Sequence, residues 1–394
     1  MKITLISVIL ALVAGCGGGG SGGGSGGTTP PPTQTNNVLS ITVNGALCSA
    51  NSYPNKPCVT VTVCSPGTST CQTISDILLD TGSVGLRIFK QALSVPLTQE
   101  TVSAGSLAEC IQFGDGSSNW GPVQMASVIL GNEPAVQIPI QVIDATFGTL
   151  PVPCQNADHS PADAGFNGIL GVGLFLQDCG AGCVNSPNNG VYYACSGSNC
   201  RGTAVALSSQ AQNPVAVLPQ DNNGVIIQLP AVPPGGAPSV NGTLLLGIGT
   251  RANNIPSAAT TYPTTVSGFF TTTFSGVVFS SFIDSGTNGL FFRSPSASLL
   301  PSCASPNTEW FCPSSTTALS ASNTGAPGAP TGTVSFQIGN FNQLLSSSNR
   351  VFAEIGGTSP VDFEWGLPFY YGRNVYVGIE GRGSSLGSGP YWAY

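Results

Sequence analysis

Ile77-Leu78-Leu79-Asp80-Thr81-Gly82-Ser83-Val84-Gly85-Leu86 and Phe282-Ile283-Asp284-Ser285-Gly286-Thr287-Asn288-Gly289-Leu290 carry one pattern. Aligned on the aspartates, each reads apolar run, Asp, Ser or Thr, Gly, Ser or Thr, any residue, Gly, Leu. Such a repeat predicts two related halves, each contributing one carboxylate. The apolar run predicts a buried strand. The residues after it are turn formers: glycine allows a tight backbone path, and the hydroxyls can bond to a nearby carboxylate or amide. Each Asp then ends a buried strand, where leaving it unpaired is costly. Two carboxylates placed face to face share a proton, so one can act as base while the other acts as acid.

Four further stretches accompany the pair. They are Ile111-Gln112-Phe113-Gly114-Asp115-Gly116-Ser117, Phe166-Asn167-Gly168-Ile169-Leu170-Gly171, Gly242-Thr243-Leu244-Leu245-Leu246-Gly247 and Trp365-Gly366-Leu367-Pro368-Phe369-Tyr370-Tyr371. With the two Asp-Thr/Ser-Gly motifs, they resemble, in order, elements of the pepsin-type aspartic peptidases over roughly residues 38–394. The resemblance implies an all-β, bilobal fold: two related β-barrel lobes with a cleft between them. It implies Asp80 and Asp284 as the catalytic pair, with Thr81, Gly82, Ser83, Ser285, Gly286 and Thr287 supporting it. It makes Phe113, Gly114 and Asp115 the tip of a flap over the substrate, with Trp120 nearby. The family usually has Tyr where Phe113 stands, and an apolar pair where Glu364-Trp365 stands. No cofactor and no metal is expected, and the implied substrate is an extended peptide or unfolded protein, cleaved by a monomer. The alternative is a pepsin-like binding or structural surface lipoprotein with little or no activity; an adhesin using the Ser/Asn-rich loops is a third reading.

Composition agrees with an all-β chain. Only 7% of the 394 residues are charged, and the 52 glycines punctuate short Val/Ile/Thr/Phe runs. The net charge is −7 with 10 Lys plus Arg, so no basic patch for nucleic acid is expected. Acid tolerance is expected, because few carboxylates must be neutralised. The single histidine, His159, lies in a polar loop between Asp158 and Pro161 and is read as a solvated loop residue.

Met1-Lys2 and the apolar run Ile3 to Ala14 form a signal sequence, residues 1–15. Val13-Ala14-Gly15-Cys16 resembles a bacterial lipobox with lipidation at Cys16. Gly at position 17 resembles an outer-membrane address, with the membrane face left open. Residues 16–37 form a Gly/Ser/Thr/Pro tether. Residues 38–212 are expected to be the N-terminal lobe, with Asp80 and the flap, and 213–394 the C-terminal lobe, with Asp284. Of 13 cysteines, setting Cys16 aside leaves an even number that can pair as disulfides in an oxidising compartment. Cys48–Cys58 and Cys64–Cys71 are the first choice among the three pairings that these four cysteines allow, Cys110 can pair with Cys154, and Cys303 and Cys312 can close a small loop, with the full connectivity left open. Cys179, Cys183, Cys195 and Cys200 are read as disulfides, with zinc as the alternative. Ala318 to Thr331 is expected to be a surface loop.

Overall fold

The Ile77–Leu79 run and the Asp after it end the strand Cys71–Asp80, and the chain leaves the Asp turn along Val84–Phe89. These strands do not pair with each other. Gly168–Val172 lies between them, parallel to the first (Leu170↔Leu79, Gly171↔Asp80) and antiparallel to the second (Leu170↔Leu86, Val172↔Val84). The second half repeats this arrangement. Val277–Ile283 leads to Asp284 and Leu290–Phe291 leads away; Asp362–Trp365 runs between them, parallel to one (Ile283↔Trp365) and antiparallel to the other (Leu290↔Trp365). A strand reaching each Asp from the core, and a third strand wedged behind the turn, hold each Asp-Thr/Ser-Gly loop by hydrogen bonds on both sides. A Cβ on Gly171 would meet Val84 N at 2.7 Å, and one on Gly366 would meet the Gly289 carbonyl at 2.0 Å. Neither wedge could therefore close with a side chain at that position.

The computed structural model describes residues 36–49, 53–103 and 105–394. They form an all-β protein with barrel-like sheets: among the described residues, one 17-stranded sheet, one 7-stranded sheet and one 2-stranded ribbon. The helices are single short turns such as Pro161–Ala164 and Phe341–Leu345. The larger sheet carries the Asp80 motif and takes in Val240–Leu246, which pairs with Val38–Val43 on one side and Gly224–Leu229 on the other. The 7-stranded sheet carries the Asp284 motif. The described residues belong to one unit. The expected signal sequence, the expected lipidation site Cys16 and most of the expected tether lie outside the described residues.

Strand alternation builds the core. Ile77, Leu79, Leu86, Ile88 and Leu170 are fully buried around the Asp80 motif, and Ile283, Phe292, Phe363 and Trp365 around the other. Each such side chain contributes about 2 kcal/mol of transfer free energy. Phe292 stacks on Phe363 at 4.9 Å, and Trp365 donates its indole N–H to Thr272 and Asn323.

The expected surface loop at Ala318 to Thr331 is instead a hairpin of Thr317–Thr324 and Thr331–Ile338. Its alternation is written in small residues: Ala321 and Asn323 point inward, while hydroxyls pair across the exposed face, as in Thr324 with Thr331 at 3.0 Å. Serine and threonine fit a half-buried pleated surface when cross-strand partners are supplied. All the expected disulfides are present, and the four undecided cysteines pair as Cys179–Cys183 and Cys195–Cys200.

Asn55 joins the two motifs' surroundings. Fully buried at a positive φ of 56°, it donates to the carbonyls of Asn288 and Phe352, both at 2.8 Å. Its oxygen accepts from Phe352 N–H and Tyr371 O–H, both at 2.8 Å. Asn55→Ala strands these partners and is expected to lower unfolding stability by about 3 kcal/mol in a denaturant titration with the disulfides intact. A loss under about 0.5 kcal/mol would show that the staple carries no load.

Candidate functional site

The two Asp turns meet and exchange equivalent bonds. Thr81 N–H donates to Ser285 Oγ at 3.2 Å, and Ser285 N–H donates to Thr81 Oγ1 at 3.0 Å. The hydroxyls complete the exchange: Thr81 Oγ1 donates to the Ile283 carbonyl at 3.1 Å and Ser285 Oγ to the Leu79 carbonyl at 2.8 Å. Each acceptor carbonyl belongs to the residue just before the opposite Asp. Thr81 and Ser285 are buried, so these bonds fix the relative position of the two carboxylates without competition from water.

Asp80 and Asp284 face each other across that contact. Gly82 N–H donates to Asp80 Oδ1 at 2.8 Å and reaches Asp284 Oδ1 at 3.1 Å. Gly286 N–H donates to Asp284 Oδ1 at 2.8 Å. The outer oxygens are held by hydroxyls, Ser83 Oγ on Asp80 Oδ2 and Thr287 Oγ1 on Asp284 Oδ2, the latter at 2.8 Å. A Cβ on Gly82 would stand 2.6 Å from Asp284 Cγ, and one on Gly286 would stand 2.9 Å from Asp80 Oδ1. Both glycines are thus required for the carboxylates to approach. Gly82 is exposed and Asp284 half-buried, so the pair opens to solvent. Burial pushes the Asp284 carboxyl well above the usual carboxylate range, and the adjoining Asp80 and nearby Glu364 push it further. The pair therefore holds a proton beyond the pH at which isolated carboxylates lose theirs.

The hairpin expected as a flap is formed by Gly105–Gln112 and Ser118–Ile129. Its turn closes through Phe113 N–H to the Ser117 carbonyl at 3.0 Å, while Asp115 Oδ1 accepts from Ser117 N–H and Oγ. Phe113 is half-buried, and Gly114 and Asp115 are exposed at the tip. Cys110, which pairs with Trp120 close to the turn, is tied by a disulfide to Cys154 in the segment beyond the hairpin. Trp120 does not serve the tip. Its indole is fully buried, donates to the Phe147 carbonyl at 2.7 Å and meets Tyr193 edge-on at 5.5 Å. It is a core residue, because strand alternation turns it beneath the hairpin.

Two residues that reach the Asp turns, Tyr370 and Glu364, were not picked out as site residues from the sequence. The Tyr370 hydroxyl, buried beneath the pair, bonds Thr81 Oγ1 at 2.7 Å. Tyr53 is half-buried; burial, then Asp76, Asp80 and Asp115, raise its phenol, which stays neutral. Glu364 stood out only as a departure from an apolar pair. It alternates against the buried Phe363 and Trp365, so its carboxyl faces the site, and Oε1 contacts Thr287 Oγ1. No pattern announces a Tyr or Glu that reaches a site from a distant segment. Behind the Asp80 motif, the buried Lys56 ammonium spans Asp76 at 2.9 Å and the Gly165 carbonyl at 2.8 Å. Arg87, also buried, joins Glu109 at 2.7 Å and the Val84 carbonyl at 2.6 Å. The one His/Cys/Asp/Glu group among the described residues compact enough for a metal is Cys48, Cys58 and Asp76, and its sulfurs are already joined. His159 is exposed.

These carboxyls set a pH dependence. Burial, then Asp115 and Asp163, raise Asp158 to about 6 against the pull of His159. Asp284, Asp178 and Glu364 are also raised, chiefly by burial. At Asp144 burial is outweighed by hydrogen bonds from Lys90 and Thr146, and its carboxyl is lowered. The raised groups bind protons more tightly in the folded chain. Their favourable contribution is complete below the ordinary carboxylate range and is lost as pH rises towards the folded values. The melting temperature is expected to rise as pH falls from about 7 to about 4, and Asp158→Asn to flatten the part below pH about 6. A melting temperature that drops steadily over that interval would contradict this.

No curated protein matches the chain. Residues 33–394 match the family described as "Protein of unknown function (DUF3443)". That match spans nearly the whole chain, which therefore belongs to this family.

Proposed function

We propose that this protein is an aspartic endopeptidase of pepsin-like, bilobal build, tethered by a lipid on Cys16 to the outer membrane. The observation that carries the reading is the facing of Asp80 and Asp284, each at the end of the same three-strand motif and locked by a reciprocal exchange of amide and hydroxyl bonds. A pure scaffold has no physical need for two acidic groups held together in this way. A water between the carboxyls would give a proton to the ionised member as its oxygen attacks the scissile carbonyl carbon. The protonated member would give its proton to the carbonyl oxygen. The resulting gem-diol collapses as the C–N bond breaks and the amine nitrogen takes a proton, with no covalent enzyme intermediate. An extended peptide would lie beneath Phe113, Gly114 and Asp115, with its backbone paired as in a strand.

A second reading keeps the fold for binding alone. It is favoured by Phe113, which stands in the hairpin turn and offers no hydroxyl.

Two outcomes are expected. The full-length protein cleaves unfolded protein substrate in acid, between about pH 3 and 6, where the pair is singly protonated. Pepstatin and Asp80→Asn each abolish this cleavage; acid cleavage that survives both would overturn the assignment. Gly82→Ala is expected to lower kcat/KM at least about a hundredfold, because its methyl must push Asp284 aside by several tenths of an ångström. A Gly82→Ala variant with unchanged kcat/KM would mean that the carboxylates need not approach as they do here.

A further inference from the structure

One hydroxyl at the site serves two carboxyl groups. Thr287 Oγ1 lies 2.8 Å from Asp284 Oδ2 and in hydrogen-bond contact with Glu364 Oε1. A threonine hydroxyl has a single proton to donate, and an ionised carboxylate can only accept. With both acids ionised, one of the two oxygen–oxygen contacts would contain no proton and would set like charges together. The arrangement closes only when one of the two acids donates. The symmetric position in the other half shows no such conflict: among the described residues Ser83 Oγ bonds Asp80 Oδ2 alone.

We infer that Glu364 is the donor: a third acid in the dyad's proton-sharing unit, and a positioning residue that acts on Asp284 through Thr287. In this arrangement Glu364 O–H donates to Thr287 Oγ1, and Thr287 O–H donates to Asp284 Oδ2. Hydrogen bonds in such a chain polarise and strengthen one another. The inference rests on reading Asp80 and Asp284 as the catalytic pair.

The surroundings of the two acids favour this direction over its reverse. Asp284 Oδ1 accepts the Gly286 N–H and is reached by the Gly82 N–H, so negative charge on Asp284 is supported by backbone donors. Glu364 has no such help. Among the described residues its side chain makes the Thr287 bond and no ion pair. The ionisable groups that act on it are acidic: Asp362 on its own strand, Asp80 on the first Asp turn and Asp115 at the hairpin tip, with Asp284 beside it across Thr287. Burial first, then these charges, raise its carboxyl against the pull of Thr287. Strand alternation leaves it no other direction, since Phe363 and Trp365 occupy the core face.

Carboxyl carbon NMR tests the inference whether or not the protein cleaves peptides. The chain has only 17 Asp plus Glu, so the signals of Glu364 and Asp284 can be assigned by substitution in full-length protein labelled at those carbons. Glu364 is expected to titrate above the ordinary glutamate range. Neutralising one member, by Glu364→Gln or Asp284→Asn, is expected to move the other's titration towards acid by about one unit in at least one of the two variants. A Glu364 that titrates in the ordinary range, or two titrations that each stay in place, would overturn it. In the peptidase assay, Glu364→Gln keeps an N–H donor for Thr287 and retains acid turnover. Glu364→Leu offers none and lowers kcat about tenfold at unchanged KM. Equal turnover in these two variants would also overturn the inference. A wild-type protein without cleavage would refute the peptidase reading, while the NMR titrations would still decide this one.

Discussion

The exchange of hydrogen bonds between Thr81 and Ser285 is the constraint on which the site depends. Each residue gives its amide to the other's hydroxyl and its hydroxyl to the carbonyl before the other's Asp. The donors and acceptors are buried, so breaking any one bond would leave a polar group unpaired at a cost of about 1–3 kcal/mol. That cost fixes the separation of the carboxylates. Two glycines make the separation sterically possible, and two wedge strands keep the turns from sliding along their sheets. Asn55, Lys56 and Tyr370 add bonds around this frame without touching the carboxylates.

The electrostatics follow from a chain that is poor in cations. With 10 Lys plus Arg in 394 residues, the buried pairs Lys56–Asp76 and Arg87–Glu109 spend cations on structure behind the Asp80 motif. None faces the Asp284–Thr287–Glu364 chain among the described residues. Carboxyls left together without cations keep protons, and the folded state then favours acid. The raised carboxyls at the site and the gain in stability expected as pH falls are two consequences of one composition.

Much of this was legible in the sequence, for a physical reason. The repeated apolar run, Asp, Ser/Thr and Gly reports local requirements: a buried strand, a tight turn, a hydroxyl near a carboxylate. Such requirements constrain neighbouring residues and so leave a linear pattern. The disulfides were readable where paired cysteines lie close in sequence, as in Cys64–Cys71. Glu364 and Asn55 were not readable as site or staple residues, because each meets its partners across long sequence separations; Asn55 and Phe352 are 297 positions apart. Trp120 was misplaced for a related reason. Its nearness to Phe113 in sequence says nothing about the sheet face it occupies, and alternation turns it inward against Tyr193. The Ala318 to Thr331 stretch looked like a loop because its strand pattern is carried by Ala, Ser and Thr rather than by large apolar residues.

The central claim is that Asp80 and Asp284 act together on one small oxygen species held between them. The most direct test is a crystal structure of the protein with a peptide inhibitor carrying a hydroxyl in place of the scissile carbonyl. The account predicts that this hydroxyl lies within hydrogen-bond distance of both carboxyls, with the peptide extended beneath Phe113. An inhibitor bound elsewhere, or a groove filled by the chain's own residues with no oxygen between the aspartates, would contradict it.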